Sequence, residues 1–187
     1  LIGGMENSIV ELLEREFRPF GLTALQVGGA SPATRDTPQP GTPRRFVDGG
    51  AIGVQLIRGD VSATAIGTVT HVAGQRLVAF GHPMLNAGQI ALPTAIARVL
   101  HVLASEPQSF KIAEAIQPFG TLVHDRLAAI VVDTKLVPET VKVTVRVRGV
   151  EGAPRQTWSM QVAANQILTP ALVLAATANA LQATCSD

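Results

Sequence analysis

The sequence has little charge, few aromatic side chains and almost no cysteine. Its 187 residues include 15 Lys and Arg against 14 Asp and Glu, which gives a formal net charge of +1. Nucleic acids and anionic membrane surfaces normally bind proteins with a clustered basic excess, so we expect neither as a partner. The single cysteine, Cys185, excludes an internal disulfide framework and a thiolate metal cluster.

Long apolar runs and metal-binding motifs are also missing. No stretch reaches the roughly 18 uncharged apolar residues of a membrane span, and the uncharged residues 167–181 are better interpreted as a buried helix. None of the histidines is spaced four residues from another, and no His-Glu-x-x-His pattern occurs. We therefore expect no membrane span, no metal site and no cofactor.

What the chain does contain favours β structure. Hydrophobic residues make up 47% of it and aromatic residues only 4%, so the core must be aliphatic. The 17 glycines and 12 prolines are too many for a helix bundle and are typical of short strands joined by tight turns. The predicted fold class is mainly β with a few helices, an α+β arrangement.

Composition and periodicity divide the chain into three parts. Residues 1–27 form a helical lead segment, in which residues 6–17 have the apolar spacing of an amphipathic helix. Residues 28–50 are a Pro/Gly-rich linker or loop. Residues 51–187 form a β-rich domain that ends in a helix at 169–181, with Thr169 as N-cap and Pro170 at the first position.

Within the third part, alternation of apolar and polar residues predicts a series of strands. They cover residues 51–57, 63–72, 76–80, 109–113, 120–123, 127–132, 141–147 and 156–162, and the second and third of them form a hairpin. Residues 92–103 have apolar side chains at helical spacing after Pro93, which predicts a helix.

One histidine has neighbours that restrict its backbone. His82 follows the third strand directly, between Gly81 and Pro83. Glycine permits unusual dihedrals and proline makes the preceding residue extended, so the pair can hold a catalytic imidazole in one orientation. The alternative is that Gly-His-Pro is only a tight turn. The other histidines, His71, His101 and His124, lack such neighbours, and we expect His71 to be solvated and His101 to lie on the surface.

A histidine base needs a nucleophile and an orienting carboxylate. No serine stands in a Gly-x-Ser-x-Gly or similar context, so the chain supplies a base without an evident nucleophile. Carboxylates near strand ends are those of Asp60, Asp125 and Asp133. Since Arg126 follows Asp125, a local ion pair is the preferred interpretation of that aspartate.

Several blocks of the sequence, in order, resemble the SpoIVB-type serine peptidase domain, and in particular its larger branch from non-sporulating bacteria. The resemblance covers residues 50–181. The blocks are Gly53-Val54-Gln55-Leu56-Ile57-Arg58-Gly59-Asp60, Ile66-Gly67-Thr68-Val69-Thr70, Phe80-Gly81-His82-Pro83, Ser109-Phe110-Lys111-Ile112-Ala113, Phe119-Gly120-Thr121-Leu122, Asp125-Arg126 and Leu168-Thr169-Pro170.

The resemblance implies an exported, trypsin-like serine endopeptidase with a β-barrel fold, in which His82 is the general base. The family's serine motif, Gly-Met-Ser-Gly-Ser-Pro, is absent from the 187 residues. In the larger branch it precedes the histidine and is followed by a segment similar to Leu1-Ile2-Gly3-Gly4-Met5. The resemblance therefore implies a serine upstream of Leu1, which is not an initiator Met, and a domain incomplete at its N-terminal side. It assigns the orienting acid to neither Asp60 nor Asp125.

Two functions remain open at this point. In the first, the chain is the histidine-bearing part of an endopeptidase that acts on a protein or peptide substrate and on itself near Leu1, and is inactive without its upstream segment. In the second, the same fold is a non-catalytic module that binds a peptide or an envelope protein by strand addition. The sequence upstream of Leu1 distinguishes them.

Overall fold

The computed structural model describes residues 1–27, 43–104, 110–153 and 155–185, and it confirms a mainly β fold with helices. A 3-10 turn, Arg18–Phe20, follows the first helix. In chain order the elements are β1 Ile2–Gly3, α1 Asn7–Phe17, β2 Gln26–Val27, β3 Ala51–Gly59, β4 Ser62–Ala73, β5 Arg76–Ala79, β6 Gly88–Leu103, β7 Phe110–Arg126, β8 Ala129–Asp133, β9 Thr140–Arg146, β10 Thr157–Ala163 and α2 Leu168–Cys185.

Six antiparallel strands close into a ring. Their order is β3, β4, β5, β8, β7, β6 and back to β3. Cross-strand pairs on the inner face are aliphatic and at most 2% exposed: Ile52 with Ile96, Leu77 with Val132, and Leu92 with Leu122. Val69 of β4, opposite Ala79, is 1% exposed, so side chains from all six strands fill the inside, as expected for a closed sheet of this size.

A second part of the core lies between the two helices and the strands beside the ring. Helix α1 packs against α2, and α2 contacts β10, β9 and β3. Leu13 of α1 and Leu172 of α2 are fully buried there. The Glu6 backbone N–H donates to Asn179 Oδ1 at 2.7 Å, and Trp158 Nε1 donates to Thr184 Oγ1 at 2.9 Å. The lead segment 1–27 therefore shares one hydrophobic core with the β-rich part.

Helix α2 confirms the predicted C-terminal helix, although its start differs from the prediction. It begins at Leu168, so Thr169 lies inside it and is not the N-cap. Asn165 Oδ1 accepts the N–H groups of Ile167 and Leu168, each at 3.0 Å. By length and composition alone α2 could cross a membrane. Ala175, Ala176 and Ala180 are fully buried inside the protein, so we describe it as a core helix.

The helix predicted at residues 92–103 is wrong, because these residues belong to the long strand β6. On one side β6 pairs with β3 and on the other with β7. Its register against β7 shifts between Pro93 and Ala95, and an irregularity of this kind accommodates a proline that cannot donate to the ladder. The strands predicted at 109–113 and 120–123 are parts of one strand, β7, which is described from Phe110 onwards; residue 109 lies outside the described residues.

The described end of the predicted linker, residues 43–50, packs on the ring. Phe46 is 5% exposed and its ring lies 5.5 Å from that of Phe119. Val69 donates its N–H to Gly50 O at 2.8 Å. Asp48 Oδ2 lies 2.9 Å from His71 Nδ1, and this hydrogen bond lowers the pKa of Asp48. Residues 28–42 of the predicted linker lie outside the described part.

The shared core predicts that α1 is part of one cooperative unit. We expect Leu13→Ala to lower the free energy of unfolding by about 2–5 kcal/mol, because it leaves a cavity in a fully buried position. Glu11→Ala, on an exposed position of the same helix, should change it by less than about 0.5 kcal/mol. Chemical denaturation measures both, and equal effects would contradict the packing of α1 on the core.

Candidate functional site

His82 lies in a loop of irregular backbone that joins β5 to β6. The loop begins after Ala79 and ends where β6 starts at Gly88. Four residues around it have positive φ: Phe80 (74°), Gly81 (73°), Asn86 (54°) and Gly88 (71°). A Cβ at Gly81 would meet nothing within 4 Å, so no neighbouring atom requires a glycine there. The glycine is suited to this position because its backbone is left-handed.

Phe80 is the strained residue of this loop. A left-handed conformation is unfavourable for a bulky aromatic residue and persists only where its surroundings hold it. The Phe80 N–H donates to Thr68 O at 2.9 Å. Its ring lies on Gly67 of β4. A Cβ atom at position 67 would already overlap the Phe80 ring, so no residue with a side chain fits there. Gly67 thus provides the space for Phe80, whose ring centroid lies 5.6 Å from that of His82.

The hydrogen bonding of His82 fixes its tautomer. Nδ1 lies 2.7 Å from Pro83 O, and a carbonyl oxygen can only accept, so Nδ1 carries the proton. In the neutral ring the lone pair is then on Nε2, which is the form needed to take a proton from a nucleophile. The side chain is exposed, and no described side chain forms a hydrogen bond with Nε2.

Asp125 of β7 holds the rest of the loop in place. It is 1% exposed, and its two oxygens accept backbone N–H groups that follow His82: Oδ1 from Met84 at 2.8 Å, and Oδ2 from Leu85 at 2.6 Å and Ala87 at 3.4 Å. The ion pair predicted between Asp125 and Arg126 does not form. Arg126 is exposed, and the aspartate is satisfied by amides instead.

The structure separates the other candidate carboxylates from His82. Asp60 Oδ1 pairs with Arg155 Nη1 at 2.6 Å, and its Oδ2 accepts the Ser159 N–H at 2.6 Å. Asp133 accepts the Lys135 N–H and lies 3.5 Å from Arg76 Nε. The pKa of Asp133 is lowered, first by the Lys135 amide. Both aspartates serve local structure and neither orients the imidazole.

Among the described residues, no other histidine and no serine forms a hydrogen bond with His82. His71 is exposed and bonded to Asp48, His101 is exposed on β6, and His124 on β7 has a buried Nδ1 without a partner. Within the described residues no three His, Cys, Asp or Glu side chains are placed to hold a metal ion. Ser8 Oγ donates to Gln182, far along the chain from His82, whereas Ser31, Ser105, Ser109 and Ser186 lie outside the described residues.

A shallow groove lies on another part of the ring. Its volume is about 460 Å³, and its polar lining includes Arg76, Gln89, His124, Asp133 and Glu139. His82 does not line it. The groove and the histidine loop are therefore separate features.

The sequence singled out His82, whose catalytic role stays a prediction, and missed Asp125, Phe80 and Gly67 as residues that shape its loop. A buried aspartate whose amide partners lie about forty residues earlier in the chain leaves no local pattern. The glycine in the middle of a predicted strand was a signal that could have been used, since such a glycine often marks a close approach.

The amide bonds of Asp125 predict the effect of removing one acceptor. Asp125→Asn should lower the free energy of unfolding by about 1–3 kcal/mol, because the new NH₂ group faces backbone donors. Hydrogen exchange of the Met84 and Leu85 amides should speed up, and the NMR signals of the His82 ring should shift. Asp133→Asn is the matched control, since that carboxylate also accepts a backbone N–H. Asp133→Asn should leave the His82 signals in place. The prediction fails if Asp125→Asn also leaves them unchanged, or if the two variants shift them equally.

The contact of Phe80 with Gly67 gives a second prediction. Gly67→Ala should cost about 1–3 kcal/mol of stability by overpacking and should move the Phe80 and His82 ring signals in NMR spectra. Gly74→Ala, in the turn between β4 and β5, is strained by its φ of 62° but meets nothing within 4 Å. It should lose stability without moving the His82 signals. Movement of those signals in the control would show that the Phe80 contact is not the cause.

The chain matches no protein-family model, no curated protein and no solved structure. The family resemblance thus stays a prediction that depends on the quoted sequence blocks. The structural support for a function comes from the loop geometry around His82.

Proposed function

We propose that the chain is the histidine-bearing part of an exported serine endopeptidase of the SpoIVB type, with His82 as the general base. The observation that carries the proposal is the hydrogen bond from His82 Nδ1 to Pro83 O, which leaves the Nε2 lone pair on an exposed ring. The loop around it is held at Phe80 by strand β4 and at Met84 and Leu85 by Asp125.

The mechanism follows from that arrangement. Nε2 takes the proton of a serine hydroxyl as the oxygen attacks the carbonyl carbon of a peptide bond, and later gives the proton to the leaving amine. Pro83 O keeps the ring in the right tautomer and partly fills the role of an orienting acid. A carbonyl carries no full charge, so it stabilises the imidazolium less than a carboxylate does.

Two further features support a trypsin-like enzyme. A closed ring of six antiparallel strands is compatible with one of the two barrels of a trypsin-like domain. The blocks of the resemblance also fall on β3, β4, the loop after β5, β7 and the start of α2, and three of them meet in the site through Gly67, His82 and Asp125.

The proposed nucleophile is a serine that is not among these 187 residues. We place it upstream of Leu1, in the serine motif that the resemblance implies. The proposed substrate is a protein or peptide. Export to the periplasm or cell envelope is proposed on the resemblance alone.

The second candidate is a non-catalytic module that binds an extended peptide or an envelope protein. The observation that favours it is the lack of a nucleophile context among the 187 residues. A gene that encodes Gly-Met-Ser-Gly-Ser-Pro upstream of Leu1 would support the enzyme, and a gene without it would support the binding module.

The experiment that tests the enzyme uses the full-length protein. We expect His82→Ala to slow self-cleavage at least about a hundredfold, since a positioned base contributes that much or more. His71→Ala, which removes an exposed histidine bonded only to Asp48, should cleave at the original rate. The 187-residue chain alone should not hydrolyse casein. Equal cleavage by the His82→Ala and original proteins, measured on denaturing gels over time, removes His82 from the mechanism.

A further inference from the structure

The edge of β4 beside the histidine loop has a stretch that no described strand covers. Strand β1 pairs with the start of β4, where Ile2 lies opposite Ala63. Strand β5 pairs with its far end, from Val69 onwards. Between them, residues 65–67 pair with β3 on one side only, and on the other side no described residue pairs with them.

The alternation of backbone hydrogen bonds along β4 shows which N–H and C=O groups point away from β3 at this stretch. Thr64 exchanges both of its backbone hydrogen bonds with Leu1, at 2.7 and 2.9 Å, and Thr68 O accepts from Phe80 N on the same side. Residues of one strand alternate between its two neighbours. The N–H and C=O of Ile66 therefore point into the same gap, between the positions of Leu1 and Phe80.

The gap has the size of a short strand that continues β1. Three residues of β structure span about 10 Å, and the register of β1 places the first residue before Leu1 opposite Ala65, the second opposite Ile66 and the third opposite Gly67. A separate peptide would be blocked by Leu1 at one end and by Phe80 at the other. A segment joined to Leu1 meets only the Phe80 end, so the geometry favours a continuous chain.

We infer that the residues immediately before Leu1 in the longer protein extend β1 along β4, with the second of them opposite Ile66. This inference rests on the proposed function, which supplies that longer protein. The segment ends its pairing at Thr68, whose carbonyl holds Phe80, two residues before His82. The strand therefore brings the upstream part of the protein to the histidine loop through backbone pairing on β4.

A disulfide tests the register directly. In the full-length protein with Cys185→Ser and His82→Ala, one cysteine replaces Ile66 and another replaces the second residue before Leu1. Hydrogen-bonded antiparallel partners have Cα atoms about 5.5 Å apart, which suits a disulfide. We expect a cross-link on mild oxidation, identified by mass spectrometry. The matched control moves the second cysteine to the first residue before Leu1, whose side chain points to the other face, and should not cross-link.

Hydrogen exchange provides a second measurement without cysteines. The Ile66 amide should exchange at least about tenfold more slowly in the full-length His82→Ala protein than in the 187-residue chain, because it gains an acceptor. The Ala65 amide, which faces β3, should exchange equally in both. The inference is overturned if the Ile66 amide exchanges equally in both proteins and the predicted cysteine pair forms no cross-link, or cross-links no better than the control pair. A gene in which Leu1 follows the initiator Met also overturns it.

The outcome separates this inference from the proposed function. A cross-link in the predicted register with no hydrolysis by the full-length protein leaves the strand pairing standing and removes the peptidase. Self-cleavage that depends on His82, without the predicted pairing, keeps the peptidase and removes the strand.

Discussion

The geometry of the histidine loop depends on one buried carboxylate. Asp125 is 1% exposed, and an ionised carboxylate taken out of water is costly unless hydrogen bonds replace its hydration. The amides of Met84, Leu85 and Ala87 supply those hydrogen bonds. The bonds join the loop to β7, so the carboxylate fixes the loop and the loop satisfies the carboxylate.

The same loop contains Phe80, whose backbone has an unfavourable left-handed conformation. The left-handed conformation of this residue costs of the order of 1–3 kcal/mol. Its N–H bond to Thr68 O and the contact of its ring with Gly67 hold it at the mouth of the ring of strands. The chain leaves β5 in a changed direction as a result, and His82 is exposed two residues later. Strain in the loop is thus offset by contacts with a strand of the closed sheet.

The sequence predicted β3, β4, β5 and α1 from the spacing of their apolar residues, and α2 from a long uncharged run with Pro170 near its start. It failed at β6, where Ile96, Val99, Leu100 and Leu103 have the spacing of a helix. Register shifts along β6, among them one between Pro93 and Ala95, break the two-residue alternation of a regular strand. Residues 92–103 form a strand because they pair with β3 and β7, and a short stretch of sequence does not reveal such pairing with distant strands. The unusual backbone beside His82 was predictable from Gly81, whereas Asp125 acts on residues about forty positions earlier in the chain.

The low charge of the chain also has a structural explanation. Strand β3 is buried on both faces: Ile52 and Val54 point into the ring, and Gly53 packs on its other face against Thr64 and Ala115. The helices α1 and α2 add a second apolar layer beside the ring. Two layers require more aliphatic residues than a sheet with one wet face. The 16% charged residues therefore follow from how much of this chain is buried. The short edge at Ile66, which no described residue covers, offers backbone N–H and C=O groups to a partner and not an apolar surface.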